Sequence, residues 1–148
     1  MNQHIKPDWL LVVENPTDGE MVLSETLKQL PSPVRIVAAN SVLTALSLLH
    51  TCLTTQQPLP RLILANLQLP QRQDGFHLLS ALKGSASALS QVPLVFNSES
   101  NEQDRQEVNH CGGTYLPRPT SPNEWRDFLK TLHYYWLKSE VSQRASNR

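Results

Sequence analysis

The stretch that decides the fold of this chain is Arg61-Leu62-Ile63-Leu64-Ala65-Asn66-Leu67-Gln68-Leu69-Pro70. Residues 62–65 form an apolar run without polar alternation, which is typical of a strand buried on both faces in a parallel sheet. The run ends at Asn66, and a loop containing Pro70 and Asp74-Gly75 follows it. Because ligands bind at the carboxyl ends of the strands in an open parallel sheet, we expect Asn66 to lie in any functional site.

Short apolar runs alternate along the chain with segments that have helical spacing. The runs predict five strands, at residues 10–13, 34–39, 62–65, 92–96 and 114–116. The segments after them predict five helices, near residues 19–30, 41–53, 76–82, 101–110 and 121–136. This alternation predicts an α/β fold: a doubly wound, five-stranded parallel sheet with helices on both faces and the flavodoxin-like strand order 2-1-3-4-5.

Two of the predicted helices have an unusual composition. The fourth, at 101–110, has almost no apolar residue except Val108, so we expect it to dock weakly and to be short, shifted or mobile. The fifth has an inner apolar stripe that ends at Trp136, and Tyr134 and Tyr135 add aromatic surface outside this stripe. These aromatic side chains either form an interaction surface or pack on the edge of the domain itself.

Length and charge limit the classes of protein that this chain can represent. The 148 residues suit a single domain, with a core at 9–137 and a polar tail at 139–148. The balance of 13 basic and 13 acidic residues gives no electrostatic argument for nucleic acid or an anionic membrane, which disfavours a DNA-binding regulator. No apolar run suggests a membrane helix or a signal peptide, so a cytoplasmic protein with reduced Cys52 and Cys111 is expected.

The stretch at 61–70 resembles the third strand of the receiver domain of CheY-like response regulators. In that family the strand reads Leu-Ile-Leu-Leu-Asp and continues Leu-x-Leu-Pro-x-x-Asp-Gly, and its Asp accepts a phosphoryl group; here Asn66 holds that position. The resemblance extends from about Trp9 to Trp136, and the aromatic last helix looks like that of stand-alone receivers associated with bacterial phytochromes. It implies a protein of two-component signalling rather than an enzyme.

The resemblance also assigns the other positions of the receiver pocket. Val13 and Glu14 stand where the family has two adjacent acids that help bind magnesium, and Asn15-Pro16 follows as in many relatives. Three further positions are matched: the Ser or Thr that bonds the phosphoryl oxygen by Ser98, the Lys before a Pro by Arg118, and the switch aromatic by Tyr115. The loop from Pro70 to Asp74 is one residue longer than the common form.

The residues at these positions predict a pocket that cannot accept a phosphoryl group. Phosphorylation needs a carboxylate oxygen as nucleophile, whereas Asn66 offers a neutral amide. Of the three carboxylates that hold magnesium in a receiver only Glu14 remains, so magnesium binding is expected to be lost or weak and no cofactor is predicted. We hypothesise that Arg118 replaces the metal by pairing with Glu14 and bonding the Asn66 amide oxygen.

Two functional hypotheses follow from the resemblance. The first is a degenerate receiver, or pseudo-receiver, that acts as a phosphorylation-independent interaction module for a histidine kinase or an output protein. Its output face would be formed by residues 101–110, 114–116 and 121–136. Tyr115, Tyr134, Tyr135 and Trp136 are the predicted interaction or switch residues, and a homodimer through this face is possible. The alternative is a response regulator switched by another route, through phosphorylation of Ser98 or a His, or through a small ligand at the strand ends.

Overall fold

The computed structural model describes residues 9–14, 35–69, 71–99 and 101–146, with side chains described as far as residue 138. The strands in this part are β1 Trp9–Val13, β2 Arg35–Ala39, β3 Leu62–Ala65, β4 Leu94–Ser98 and β5 Thr114–Pro117. The helices are α1 Val42–Thr54, α2 Arg72–Lys83, α3 Glu102–His110 and α4 Pro122–Ser146, with a 3-10 helix at Ala88–Gln91. The helix predicted at 19–30 lies outside the described residues.

The five strands form one parallel sheet in the order β2-β1-β3-β4-β5. This confirms the predicted flavodoxin-like order. The register pairs Val13 with Ala65, Ala65 with Phe96, and Phe96 with Tyr115. The strands therefore end side by side at one edge of the sheet, and the polar residues that follow them are brought together there.

Both faces of the sheet are covered, as the continuous apolar run in β3 predicts. Ile63 and Ala65 belong to one core cluster, which also contains buried residues of α1, α2 and α3. Leu62 and Leu64 belong to a second cluster, to which α4 contributes Phe128, Leu132 and Trp136. All four residues of β3 are completely buried. Burying each leucine or isoleucine side chain contributes about 1.5–3 kcal/mol, so β3 is firmly anchored in the sheet.

The loop after β3 is fixed by the start of α2. The backbone N–H of Gln71 donates to the Asp74 carboxylate at 2.9 Å, which closes a capping box at the first turn of the helix. Gly75 lies so close to the preceding loop that a Cβ placed on it would stand 2.1 Å from the Leu67 carbonyl oxygen. Only glycine fits this approach, which holds α2 directly against the loop that begins at Asn66.

The last helix is attached to the start of β3 by a stacked arginine. The guanidinium of Arg61 lies 3.9 Å from the ring centroid of Trp136, and its Nε donates to the Trp136 carbonyl oxygen at 3.2 Å. Both side chains are buried. A desolvated cation–π contact of this kind stabilises by about 2 kcal/mol.

No helix in the described part of the chain is long and apolar enough to cross a membrane.

Strand β5 is an edge of the sheet and ends at a proline. The backbone N–H of Arg118 donates to the Ser98 carbonyl oxygen at 2.7 Å, so the backbone at this residue faces β4. Backbone direction alternates along a strand, and the nitrogen of Pro117 therefore faces away from β4. Proline has no N–H, which leaves this position of the open edge without a hydrogen-bond donor.

Candidate functional site at the carboxyl ends of the strands

Asn66 occupies the centre of the strand-end edge, as the sequence predicts. Its backbone N–H donates to the Val13 carbonyl oxygen at 3.0 Å, which continues the ladder between β1 and β3. Its side-chain oxygen accepts a hydrogen bond from the backbone N–H of Gln68 at 3.0 Å. This is the hydrogen bond of an Asx turn. The amide oxygen of Asn66 therefore shapes the loop after β3.

Glu14 and Val13 lie beside Asn66 at the end of β1. The backbone N–H of Glu14 donates to the Ala39 carbonyl oxygen at 3.0 Å, and its side chain is buried. Val13 is completely buried and belongs to the core cluster under α1 and α2. Register places Glu14 next to Asn66, one residue beyond the pair formed by Val13 and Ala65. The site thus combines one buried carboxylate with one amide.

This donor set does not fit the magnesium ion that receivers bind. Magnesium requires hard, anionic oxygen ligands in near-octahedral geometry. Of the three family positions, Val13 offers a hydrocarbon, Asn66 offers an amide that already accepts a hydrogen bond, and Glu14 alone offers a carboxylate. Within the residues that the structure describes, no group of three or more His, Cys, Asp or Glu side chains is placed to hold a metal ion.

Ser98 and Tyr115 lie on the neighbouring strands β4 and β5. Both side chains are buried, and Tyr115 is only 5% exposed. The Tyr115 hydroxyl donates to the Glu99 carbonyl oxygen. Burial raises the pKa of this hydroxyl, and the carboxylate of Asp104 raises it further. The ring of Tyr115 is therefore held inside the domain, against the loop that leads into α3.

Arg118 does not make the side-chain contacts that we hypothesised. Its backbone bonds to Ser98, but across the described residues its guanidinium makes no hydrogen bond or ion pair. The Asn66 oxygen, its predicted partner, is bonded to Gln68 instead. Arg118 is exposed and lines an open groove of about 750 Å³ between β5 and α4, together with acidic residues that include Glu124 and Asp127.

Asn97 is a site residue that the sequence analysis missed. It follows Phe96 on β4, and register places it beside Asn66 on the face of the sheet that α4 covers. The side chain is completely buried; its Nδ2 donates to the Leu116 carbonyl oxygen at 3.5 Å, and its Oδ1 has no hydrogen-bond partner among the described residues. A polar residue directly after the apolar run 92–96 was the available signal. Leaving a buried acceptor unsatisfied costs about 1–3 kcal/mol.

The predicted interaction residues separate into buried and exposed ones. Tyr115 and Trp136 are each 5% exposed, which corrects their assignment to a surface: both belong to the core. Tyr135 is half-buried and packs against the cluster under α4. Tyr134 is 59% exposed, and Leu137, which the sequence analysis overlooked, is 49% exposed. As far as residue 138, where the described side chains end, the exposed large apolar residues of α4 are therefore Tyr134 and Leu137.

Comparison with known proteins gives matches only among solved structures. No protein-family model and no curated protein matches the chain. The Mn(2+)-bound form of response regulator Rcp1 is 25% identical over 88% of this chain and 95% of that chain, with a TM-score of 0.71. The bacteriophytochrome response regulator AtBRR is 28% identical over 82% of this chain and 89% of that chain, with a TM-score of 0.62.

A third similar structure is the phosphorylated cyanobacterial phytochrome response regulator RcpA. It is 24% identical over 91% of this chain and 95% of that chain, with a TM-score of 0.67. Each of these matches covers most of both chains, so the likeness includes the whole sheet and its helices. The chain therefore has the fold of CheY-like response-regulator receiver domains, and its structural neighbours are receivers, among them phytochrome response regulators.

Proposed function

We infer that this chain is a pseudo-receiver, a signalling module that acts through protein interactions without aspartyl phosphorylation. The observation that carries this proposal is Asn66 at the end of β3, with its side-chain oxygen bonded to the Gln68 N–H at 3.0 Å. An acyl phosphate forms when an ionised carboxylate oxygen attacks phosphorus. A neutral amide in an Asx turn has no such oxygen to offer.

The surroundings of Asn66 support the same proposal. Val13 is part of the hydrophobic core, so the position of one metal-binding acid is used for packing. Glu14 is the remaining carboxylate of the three family positions, and a single carboxylate binds magnesium weakly. Without a metal, the charge of an incoming phosphoryl group would be repelled by Glu14 rather than neutralised. We therefore expect no cofactor and no enzymatic activity.

The partners that fit this role are other signalling proteins in the cytoplasm, a histidine kinase or an output protein. The exposed pair on α4, Tyr134 and Leu137, gives the output face an apolar anchor of the kind that interfaces use. The two residues are three positions apart and lie on the same side of the helix. The same pair supports a homodimer through the output face as a part of this proposal.

A switch by another route is the alternative function. Phosphorylation of Ser98 would require a kinase to reach a side chain that is buried at the end of β4. This burial disfavours Ser98 as an acceptor. The histidines and a small ligand at the strand ends remain predictions of that alternative.

Incubation with acetyl phosphate and magnesium, followed by intact-mass measurement, tests the proposal. The wild-type chain should keep its unmodified mass, while a receiver that retains its aspartate and is treated in parallel should gain one phosphoryl group. A phosphoryl group on this chain would overturn the proposal. Peptide mapping would then locate it and decide whether the alternative route applies.

A further inference from the structure

Helix α3 is held to the domain by very little apolar surface. Of its nine residues only Val108 is buried, and its packing partner is β5. Asn101 caps its first turn by accepting a hydrogen bond from the Asp104 N–H at 3.0 Å. The helix has formed over the predicted residues, but one valine contributes only about 1.5–3 kcal/mol to its attachment. Polar contacts must therefore decide how firmly α3 is held.

Arg72 supplies these contacts from the first turn of α2. Its Nε donates to Asp104 Oδ1 at 2.5 Å, and its Nη2 donates to Glu107 Oε1 at 2.8 Å. The two carboxylates are one helical turn apart, so one guanidinium spans a full turn of α3. The guanidinium also lies 4.6 Å from the ring centroid of Phe76, which limits the orientations that it can take.

The geometry makes this pair stronger than an ordinary surface ion pair. Exposed pairs contribute little because water screens them and because two flexible side chains must be ordered. Arg72 and Glu107 are 43% and 48% exposed, so water screens their pairing. The Asp104 side chain is only 14% exposed, and one arginine is shared by two acceptors, which is what distinguishes this contact. Arginine suits this arrangement because its planar group carries several donors in a fixed geometry.

Asp104 connects the ion pair to β5. Its carboxylate lies close enough to Tyr115 to affect the ionisation of the hydroxyl, and that hydroxyl donates to the Glu99 carbonyl oxygen just before α3. Arg72 thus neutralises the charge that faces Tyr115 while it holds α3. Arg72 is also six residues after Asn66, so it belongs to the segment that leaves the strand-end site.

We propose that Arg72 is a positioning residue that clamps α3 against α2 and thereby fixes α3, and the buried ring of Tyr115 behind the output face, in one arrangement. This inference rests on the proposed function, since a module that is not phosphorylated needs another means of setting its output face. The ion pairs of Arg72 with Asp104 and Glu107 hold α3, which is part of the output face, without a phosphoryl group.

Hydrogen exchange of the full chain tests the clamp. In Arg72→Gln, amide exchange across α3 should become roughly five- to thirty-fold faster, and exchange in β3 should stay unchanged. Arg105→Gln is the matched control, because Arg105 pairs with Glu102 on α3 itself, three residues away. Its effect should stay within about two-fold. Equal exchange of α3 in Arg72→Gln and wild type would overturn the proposal.

A double-mutant cycle and a spectroscopic titration separate the clamp from general destabilisation. Arg72→Gln combined with Asp104→Asn should exchange no faster than the faster single variant, since each change breaks the same contact. Arg72→Gln should also raise the pKa of Tyr115 further, and Asp104→Asn should lower it, as absorbance near the tyrosinate band reports. Additive effects on exchange, or an unmoved tyrosine titration, would contradict the clamp. Neither outcome depends on the acetyl phosphate test, so the two proposals can fail separately.

Discussion

Placing a carboxylate at the end of β3 should destabilise this protein without making it phosphorylatable. In Asn66→Asp the new carboxylate can still accept the Gln68 N–H, so the loop keeps its shape. Register places it next to buried Glu14 on the adjacent strand. Neighbouring strands lie about 4.8 Å apart, and two negative charges at about 5 Å repel by about 3 kcal/mol at an effective dielectric constant near 20. We expect a loss of about 2–3 kcal/mol in the free energy of unfolding at pH 7.

The pH dependence of this loss identifies its cause. Repulsion by Glu14 raises the pKa of the introduced carboxyl in the folded state above its value in the unfolded chain. The penalty is therefore present at neutral pH and shrinks as the pH falls through the raised pKa, where the carboxyl takes up a proton. Urea denaturation followed by Trp fluorescence, at neutral pH and near pH 5, measures the difference.

The double variant Glu14→Gln/Asn66→Asp is the control, since it keeps the new carboxylate and removes the opposing charge. In the Glu14→Gln background, Asn66→Asp should cost much less free energy of unfolding than it does in the wild-type background. With acetyl phosphate and magnesium the single variant should show at most slow labelling, because Val13, at a position where receivers are expected to carry a metal-binding acid, offers no ligand. Robust magnesium-dependent labelling of Asn66→Asp would show that our account of Val13 is wrong, and a pH-independent loss would refute the argument from charge.

Three further predictions concern the interface, the buried amide and the tyrosine. Tyr134→Ala combined with Leu137→Ala should convert the proposed dimer to a monomer in sedimentation or light scattering, whereas Leu43→Ala, at an even more exposed apolar residue on α1, should not; a wild-type monomer would contradict the dimer. Asn97→Leu should raise the free energy of unfolding by about 1 kcal/mol, since it removes an unsatisfied acceptor, which corresponds to about 2–4 °C in Tm; a loss of stability would mean that the acceptor is satisfied. The raised pKa of Tyr115 implies a contribution to stability that is fully present below the unfolded-state pKa and is lost as the pH rises through the folded-state value; in Tyr115→Phe this part of the alkaline pH dependence should disappear.

The sheet could be predicted from the sequence because its signal is local. An unbroken apolar run such as 62–65 requires cover on both faces, and the alternation of strands and helices leaves few topologies. The position of Asn66 followed directly from the end of that run. Helix α3 could also be placed, because its start depends on a local contact: the Asn101 side chain accepts a hydrogen bond from the backbone N–H of Asp104, three residues later.

Contacts between distant residues could not be predicted in this way. Arg61 meets Trp136 across 75 residues, and Arg72 meets Asp104 across 32. No periodicity in the sequence encodes such pairs, because each partner alone resembles an ordinary surface charge or a helix residue. The hypothesis that Arg118 bonds Asn66 does not hold among the described residues, where the Asn66 oxygen accepts the backbone N–H of Gln68. A bond to the local backbone replaces the predicted bond to a distant side chain.

The proline at the end of β5 has a consequence for how this protein can assemble. An exposed sheet edge can template fibril growth, in which one copy extends the sheet of the next. Pro117 removes a donor from that side of β5, so a strand added there would lose a hydrogen bond at this position. Self-association through side chains on helices leaves this edge unused.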